Sequence, residues 1–278
     1  MTSIRRKIPV TFQGNKTKHI ERFIDYINNC EAQTYVDLFG GSCFLSYVVH
    51  ILKPNAKVIC NDYDDYLQRL NNIDTTNEII DAIKAITTNK HNEKYTPEQT
   101  QQIKSIIKDY KTKGRFIDVL TISNCLVFSG NFYLTVDELL KQNIYYNKLP
   151  KKNYEAQWYL NSLQGIEFVK KDWQELFNEY KDNPDVCFIS DPPYYGTNSD
   201  SYTGNSWTLR NTLDTFEILK RPYFVYYTSE KSRLIELIDY LNDKFLSENK
   251  IQYQKHIVQR GGLNKDAKSW NDIMITNI

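Results

Sequence analysis

The spacing of apolar residues along the chain predicts strands that alternate with helices at both ends of the sequence. The first third reads as a helix, a buried strand, an apolar helix and a second buried strand, at 19–28, 34–39, 42–52 and 56–60. The last third has five strand candidates, at 166–169, 186–190, 223–228, 251–258 and 272–275. Helical stretches at 173–180, 209–220 and 234–241 separate most of them. This alternation predicts an α/β sheet covered on both faces, with the final two strands antiparallel because no helix-length segment divides them.

The middle of the chain, from 63 to 152, has helical periodicity without strands. Thr96, Pro97 and Gln99 combine an N-cap residue, a proline at the first helical position and the second half of a capping box. This predicts a helix that runs to about residue 111, and the stretches 79–86 and 116–128 are also helical in spacing. We therefore predict a discontinuous α/β domain formed by 1–62 and 153–278, with a helical domain inserted at 63–152.

Basic residues outnumber acidic ones in part of the predicted insert. Between 79 and 116 there are eight bases, Lys84, Lys90, Lys94, Lys104, Lys108, Lys111, Lys113 and Arg115, against Asp81, Glu93, Glu98 and Asp109. Either a solvated helical face or a surface that contacts nucleic-acid phosphates accounts for this excess. The whole chain has 35 Lys and Arg against 34 Asp and Glu. Its net charge therefore does not decide between the two interpretations.

Composition excludes several classes of protein. With 278 residues, 41% hydrophobic and 25% charged, the chain has the size and the apolar content of a globular protein with a real core. Its five cysteines stand singly, which argues against a disulfide scaffold or a zinc site. It has no run of 18 apolar residues and no leader-like start. We expect a cytoplasmic protein that neither spans a membrane nor needs a metal.

The strongest chemical motif is Asp191-Pro192-Pro193-Tyr194, directly after the apolar strand at 186–190. Ligands of open α/β sheets bind at the carboxyl ends of strands. An amino group conjugated with a heteroaromatic ring is a poor nucleophile, because its lone pair is spread into the ring. A carboxylate from Asp191 and the carbonyl of Pro192 can accept its two N–H bonds and direct the lone pair at a methyl donor.

The other two residues of the motif suit the same chemistry. Pro193 has no N–H and holds Pro192 extended, which keeps the Pro192 carbonyl available. Tyr194 offers a flat face to a base that has left its stack. The motif therefore favours methylation of an exocyclic amino group of a base.

A second motif predicts a nucleotide site at the first strand. The sequence DLFGGS, from Asp37 to Ser42, follows that strand, and Asp62 ends the second strand 22 residues after Gly40. Glycines let the backbone approach a ligand closely, and an acid about 20 residues further on suits ribose hydroxyls. A glycine turn alone is weak evidence, so the interpretation depends on Asp62.

These motifs together resemble one family. PVTFQGNKTKHI near the start, DLFGGS, NDYD around Asp62, GIEFVKKDW, SDPPYYG and SWNDIMITN are similar, in this order, to the Dam-like DNA adenine-N6 methyltransferases. The resemblance covers most of 7–62 and 153–278. It implies a Rossmann-like S-adenosylmethionine-dependent methyltransferase sheet with a small inserted helical target-recognition domain.

The resemblance also implies which residues form the site. Asp191, Pro192, Pro193 and Tyr194 would be catalytic. The cofactor S-adenosylmethionine would be contacted by Phe12, Lys16, Asp37, Phe39, Gly40, Asp62, Asp172 and Asp191. Within that set, Asp62 would hold the ribose, Asp37 and Gly40 would line the methionine end, and Asp172 would approach the adenine. The alternative is that Asp172 is the N-cap of a helix that begins at Trp173.

The sequence departs from the family pattern at three places. Phe12 stands where a Trp is usual and Gly14-Asn15 where two glycines are usual, and Cys43 occupies a common glycine position. The segment SNCLVFSGNFYL at 123–134 lacks the arginine expected to recognise guanine. The resemblance therefore does not imply GATC as the target.

The leading hypothesis is a site-specific adenine-N6 methyltransferase that flips its target adenine out of double-stranded DNA. Methylation of cytosine-N4 or of RNA adenine, and a catalytically silent DNA-binding module of the same fold, remain alternatives. A protein-glutamine methyltransferase is disfavoured, because that class prefers Asn where this chain has Asp191. We expect a monomer in a bacterial or phage-infected cell. A cognate restriction endonuclease that acts on the same site is a candidate partner.

Overall fold

A computed structural model describes residues 4–14, 16–17, 20–87, 93–127, 133–144, 148–196, 207–246, 250–259 and 271–277. The chain divides into two compact units. The first, called the sheet unit here, comprises Met1–Lys7, Asn15–Asp64 and Leu163–Ile278. The second, the helical unit, comprises Ile8–Gly14 and Asp65–Ser162. The sequence did not predict that Ile8–Gly14 would group with the helices.

The sheet unit contains a seven-stranded sheet. Its strands are β1 (Thr34–Asp37), β2 (Lys57–Asn61), β3 (Glu167–Val169), β4 (Val186–Ser190), β5 (Tyr223–Ser229), β6 (Gln254–Gln259) and β7 (Asn271–Thr276). They lie in the order β3-β2-β1-β4-β5-β7-β6. β1 to β5 are parallel, whereas β7 pairs antiparallel with both β5 and β6. This is the predicted Rossmann-like methyltransferase fold, and the antiparallel pairing of the last two strands is confirmed.

Helices cover both faces of this sheet, as the near-continuous apolar character of its parallel strands requires. They are α1 (Ile20–Asn29), α2 (Phe44–Leu52), α9 (Trp173–Tyr180), α10 (Leu209–Asp214) and α11 (Leu234–Lys244). One core cluster joins Val36, Phe188 and Phe224 of the strands to Leu176 and Ile238 of the helices. The predicted helix 209–220 is only partly α-helical, because Thr215–Lys220 forms a 3₁₀ turn.

The helical unit contains six helices in the part of the chain that the structure describes. They are α3 (Tyr66–Asn71), α4 (Ile73–Ala85), α5 (Pro97–Thr112), α6 (Val119–Leu126), α7 (Val136–Lys141) and α8 (Gln157–Ser162). The predicted capping box is confirmed, because Thr96 accepts from the Gln99 amide and the Gln99 side chain accepts from the Thr96 amide. A separate core joins Ile79 and Ile83 to Ile103, Ile107 and Ile122.

The sequence analysis missed three of these helices, α3, α7 and α8, each only six residues long. A helix of six residues makes fewer than two turns, and the spacing of its apolar residues therefore gives little evidence of helical periodicity. Several positions used in the predictions lie outside the described residues, namely Asn15, His19, Lys90, 128–132 and 197–199.

Candidate active site

The candidate site lies where the order of the parallel strands reverses. β1 pairs with β2 on one side and with β4 on the other, so the loops after β1 and β4 leave the sheet side by side. Such a switch point opens a crevice at the carboxyl edge of an α/β sheet. β1 ends at Asp37 and β4 ends at Ser190, immediately before Asp191.

The strand register directs Asp37 and Tyr227 toward one face of this edge, and Asp191 directly follows β4 between them. Asp37 pairs with Ile189, and Ser190 pairs with Tyr226, so Asp191 follows at the level of Tyr227. Because side chains alternate along a strand, Asp37, Ile189 and Tyr227 share a face, while Ser190 and Tyr226 face the other way. Neighbouring strands lie about 4.8 Å apart, so Asp37 at the end of β1, Asp191 directly after β4 and the Tyr227 phenol of β5 lie at the same edge of the sheet.

Asp191 is hydrogen-bonded at both carboxylate oxygens. Its Oδ2 forms an ion pair with the ammonium of Lys16, whose side chain is only 4% exposed. Its Oδ1 accepts from the hydroxyl of Tyr194 at 3.0 Å. The ammonium nitrogen also lies 5.6 Å from the ring centre of Tyr194 and 5.3 Å from that of Tyr227. One carboxylate and two aromatic faces therefore hold a cation at this edge.

Asp37 is buried with half of its carboxylate unpaired. Oδ2 accepts from the Ser46 hydroxyl of α2 at 2.7 Å. Oδ1 has no hydrogen-bond partner among the described residues. Burial raises the pKa of Asp37 to about 7; the Ser46 hydrogen bond opposes this rise and the charge of Asp191 adds to it. A buried, half-satisfied carboxyl next to a second acid attracts a positively charged hydrogen-bond donor.

Tyr227 is a residue of this edge that the sequence analysis missed. Its side chain is 1% exposed, and its hydroxyl has no hydrogen-bond partner in the described part of the chain. Burial raises the pKa of Tyr227 well above its usual value, and the charges of Asp191 and Asp37 raise it further. The hydroxyl is therefore neutral and can donate or accept. The only sequence signal was a pair of tyrosines inside an otherwise apolar strand.

The glycine turn after β1 allows the backbone to approach β2 closely. A Cβ atom at Gly40 would lie 2.6 Å from the Cys60 sulfur and 2.8 Å from the Asn61 carbonyl oxygen. The Gly40 amide donates to that same oxygen at 3.1 Å. Cys43, at the family's usual glycine position, has φ 57°, in the left-handed region that favours glycine. The local backbone thus keeps the glycine conformation although the side chain has changed.

Aromatic rings gather around the same turn. Phe39 lies 5.7 Å from Trp173 and 5.8 Å from Trp207, measured between ring centres. The Trp207 indole donates to the Thr212 hydroxyl at 3.0 Å, which fixes its orientation. Trp207 was not predicted, because it follows a polar segment and precedes a six-residue helix.

The ends of β2 and β3 carry the remaining predicted acids of the sheet unit. Asp62 follows β2 and is 8% exposed. Its neighbour Asn61 donates to the carbonyls of Leu38 and Lys171 and accepts from the Lys171 amide, which ties three loops together. Asp172 accepts from the Gln174 amide at 2.8 Å and so caps α9. The capping alternative for Asp172 is confirmed, and its contact with adenine stays a prediction.

Phe12 belongs to the helical unit, in contrast to the other predicted cofactor residues. Its ring meets Tyr66 edge-on, with centres 5.7 Å apart. Side chains hold the irregular segment around it, because Arg69 donates to the Thr11 carbonyl at 2.6 Å and Tyr66 to the Val10 carbonyl at 3.2 Å. Within the sheet unit, the structure brings together Lys16, Asp191, Pro192, Pro193 and Tyr194.

Ion pairs neutralise part of the basic excess in the helical unit. Lys84 pairs with Asp81, Lys111 with Asp137, Lys113 with Asp109 and Arg115 with Glu78. The solvated-face interpretation therefore holds for these four residues. Lys104, Lys108, Lys151 and Lys152 have no ion-pair partner among the described residues.

Neither a metal cluster nor a membrane segment is found in the described residues. No group of three or more His, Cys, Asp or Glu side chains converges there as a metal site would require. None of the described helices has the length and apolar character needed to cross a bilayer. All five cysteines are buried free thiols.

Comparisons with known proteins show the family to which the chain belongs. The D12 class N6 adenine-specific DNA methyltransferase family matches residues 12–259. A Haemophilus influenzae protein named "Putative methyltransferase" is 30% identical over 274 residues, covering 94% of this chain and 89% of that protein. The solved structure of a precorrin-6y C5,15-methyltransferase from Geobacter metallireducens GS-15 has 10% identity and a TM-score of 0.39, with 96% and 91% of the two chains covered. We draw no conclusion from a structural match at that score.

The family match and the Haemophilus influenzae relative define the protein as a methyltransferase. Because the family match spans most of the chain, the chain belongs to the D12 class of N6 adenine-specific DNA methyltransferases.

Proposed function

We propose that this protein is a site-specific DNA methyltransferase that transfers a methyl group from S-adenosylmethionine to the N6 amino group of a flipped adenine. The observation that carries the proposal is the Asp191 motif at the carboxyl end of β4, beside the half-paired carboxyl of Asp37. The D12 family supplies the substrate class.

The residues at this edge fit a cationic methyl donor. Asp37 offers an unpaired buried oxygen, and Asp191 adds negative charge beside it. Gly40 lets the turn after β1 pack against Cys60 and Asn61, where a Cβ atom would clash. Asp37, Phe39 and Gly40 would line the methionine end, Asp62 would hold the ribose, and Asp172 would approach the adenine. Phe12 and Lys16 complete the set that the family resemblance implies. When bound, the donor supplies an electrophilic methyl carbon.

The Asp191 motif would bind and orient the target amino group. The Asp191 carboxylate and the Pro192 carbonyl accept its two N–H bonds, and Pro193 keeps that carbonyl exposed to the base. A carboxylate oxygen accepts more than one hydrogen bond, so the amine can join Tyr194 at Oδ1 or replace Lys16 at Oδ2. The Tyr194 ring would stack on the flipped base.

Four lysines of the helical unit are the candidates for phosphate contacts. Lys104, Lys108, Lys151 and Lys152 lack carboxylate partners among the described residues, so their charge is available to DNA. Such contacts would offset the few kcal/mol that base flipping costs. Replacing Lys151 and Lys152 by Gln should weaken duplex binding and flatten its salt dependence by about two units of slope. The matched control is Lys113→Gln, which removes a lysine already paired with Asp109.

The experiment that tests the proposal is product analysis. Duplex DNA and RNA of the same sequence are each incubated with S-adenosylmethionine and the purified protein, digested to nucleosides and analysed by mass spectrometry. The proposal predicts N6-methyladenine from DNA, reduced by a factor of about 1,000 or more with Asp191→Asn, which keeps the shape but loses the charge. N4-methylcytosine or methylated RNA would establish one of the alternative substrates. No methylated nucleoside, with duplex binding retained, would establish a silent DNA-binding module.

The proposal extends to the cellular setting. We propose that the protein acts as a monomer in the cytoplasm of a bacterial or phage-infected cell. Partnership with a restriction endonuclease of the same specificity would make it the protective half of a restriction-modification pair. Mapping the methylated sites would show whether such an endonuclease cuts the same sequence.

A further inference from the structure

Among the described residues, the Tyr227 hydroxyl and Asp37 Oδ1 are two buried polar atoms without a partner on one face of this edge, while the unpaired Ser190 hydroxyl lies on the opposite face. Tyr227 lies on the same face as Asp37, separated from β1 only by β4. A buried polar group without a partner costs roughly 1–3 kcal/mol, so native proteins seldom retain one without a ligand or another functional reason.

The charges around Tyr227 indicate what such a ligand must carry. The carboxylates of Asp37 and Asp191 both act on its hydroxyl. The edge already holds one cation, because the Lys16 ammonium lies 5.3 Å from the ring centre of Tyr227. Because that ammonium is already paired with Asp191, the Asp37 carboxyl is the acid left for a ligand, so a positively charged group would be attracted to it and an anionic group would be repelled.

An ammonium group has enough donors to satisfy both unpaired atoms. It has three N–H donors and no acceptor, so each unpaired oxygen can take one of them. Asp37 Oδ1 supplies a charged acceptor, and the Tyr227 hydroxyl oxygen supplies a neutral one. A sulfonium group has no N–H and would leave both atoms unsatisfied.

We propose that Tyr227, together with Asp37, binds the amino-acid ammonium of the methyl donor. This inference rests on the proposed function and deepens it, since it adds a binding residue from β5 that the motifs did not contain. It makes an unusual prediction, namely that removal of the hydroxyl weakens binding and stabilises the ligand-free protein.

The neighbouring tyrosine provides a matched control. Tyr226 is also buried, but its hydroxyl lies 2.8 Å from the Thr215 hydroxyl on the opposite face of β5. Tyr226→Phe and Tyr227→Phe therefore remove the same atom from adjacent positions of one strand. Only the first breaks a hydrogen bond that exists without ligand.

The test measures melting temperature and calorimetric affinity for three ligands. S-adenosylmethionine and S-adenosylhomocysteine both carry the ammonium, whereas methylthioadenosine has the nucleoside and thioether without the amino acid. Tyr227→Phe should raise the ligand-free melting temperature by about 2 °C and weaken both amino-acid ligands about tenfold, with methylthioadenosine unchanged. Tyr226→Phe should lower the melting temperature and leave all three affinities unchanged.

Two results would overturn the inference, and they are distinguishable. If the wild type binds S-adenosylmethionine and Tyr227→Phe binds it equally well, the inference fails and the proposed function stands. If the wild type binds none of the three ligands, the proposed function fails and the inference falls with it. A loss that is confined to S-adenosylmethionine, with S-adenosylhomocysteine unaffected, would place Tyr227 at the sulfonium and would also contradict the inference.

Discussion

Two buried polar clusters of this protein differ in how completely their hydrogen-bonding groups are paired. In the helical unit, Asp118 accepts from Arg69 at 3.0 Å and from the amide and hydroxyl of Thr121. Arg69 Nη2 also donates to Thr121 and to the Thr11 carbonyl, which leaves only Nη1 without a partner among the described residues. In the part of the sheet unit that the structure describes, Asp37 has one oxygen paired and the Tyr227 hydroxyl has no partner.

The difference separates a structural cluster from a binding one. Where buried charges are paired within the folded chain, removing one partner leaves the other charge buried and destabilises the protein. A cluster with unpaired acceptors costs stability until a ligand supplies the donors. The helical unit thus uses buried charge to hold the irregular segment at Thr11, whereas the sheet unit keeps acceptors available at its carboxyl edge. Four predictions test this contrast.

The largest expected effect comes from breaking the structural cluster. Arg69→Met should destabilise the helical unit by about 3–5 kcal/mol, because it leaves the Asp118 carboxylate buried without its countercharge. Urea unfolding followed by circular dichroism measures the loss. Adding Asp118→Asn removes the leftover charge, retains an N-cap for α6 and should recover part of the stability. A loss below 1 kcal/mol in Arg69→Met would mean that the pair is not structural.

Asp37→Asn should remove a pH dependence from the ligand-free protein. Burial raises the pKa of Asp37 from 3.8 to about 7, so the folded protein keeps a proton that the unfolded chain releases. The retained proton adds most to the free energy of unfolding below pH 3.8. This contribution decreases as the pH rises to about 7 and does not change further above that pH. Between pH 4 and 8 the free energy of unfolding of the wild type should fall by about 1–4 kcal/mol more than that of Asp37→Asn. Urea midpoints at several pH values check this, and parallel profiles would contradict it.

A smaller effect is expected at Cys43, where the backbone is left-handed. Cys43→Gly should be more stable than Cys43→Ala by about 1 kcal/mol, because only glycine adopts this φ without strain. At Cys60, which lies inside strand β2, Cys60→Ala should be more stable than Cys60→Gly, because glycine in a strand interior costs conformational entropy. Thermal unfolding of the four variants measures both differences. Equal stability of the two Cys43 variants would show that the turn relaxes to accept a Cβ atom.

The smallest effect is expected for an exposed ion pair of the helical unit. Arg115 and Glu78 lie 2.8 Å apart, but their side chains are 42% and 47% exposed. Arg115→Gln should therefore cost less than about 1 kcal/mol in urea unfolding, in contrast to Arg69→Met. A cost similar to that of Arg69→Met would show that burial does not distinguish the two arginines.

Local patterns of the sequence predicted much of the sheet and part of the site. The strand at 186–190 and the helix at 173–180 were predicted with the bounds observed, because apolar residues and an N-cap mark them. The position of Asp191 at a strand end followed from the same pattern. Its ion pair with Lys16 did not, because Lys16 is 175 residues away in sequence.

The features that escaped prediction depend on tertiary contacts. Asn61 is an ordinary polar residue in sequence, and only the folded chain shows it tying β2 to the loops after β1 and β3. The Ile8–Gly14 segment has no regular structure, and side chains from α3 hold it within the helical unit. Tyr226 and Tyr227 are adjacent tyrosines that the sequence does not distinguish. Among the described residues, the Tyr226 hydroxyl has a hydrogen-bond partner and the Tyr227 hydroxyl has none.

The most direct test of the account is a calorimetric titration of S-adenosylmethionine into the wild type and Asp37→Asn at pH 8, where Asp37 is ionised. The account predicts one site per chain in the wild type and an affinity at least about tenfold weaker in the variant, because Asn offers no charge to the donor's ammonium. Equal affinities, or a wild type that binds no S-adenosylmethionine, would contradict the assignment of this edge as the methyl-donor site.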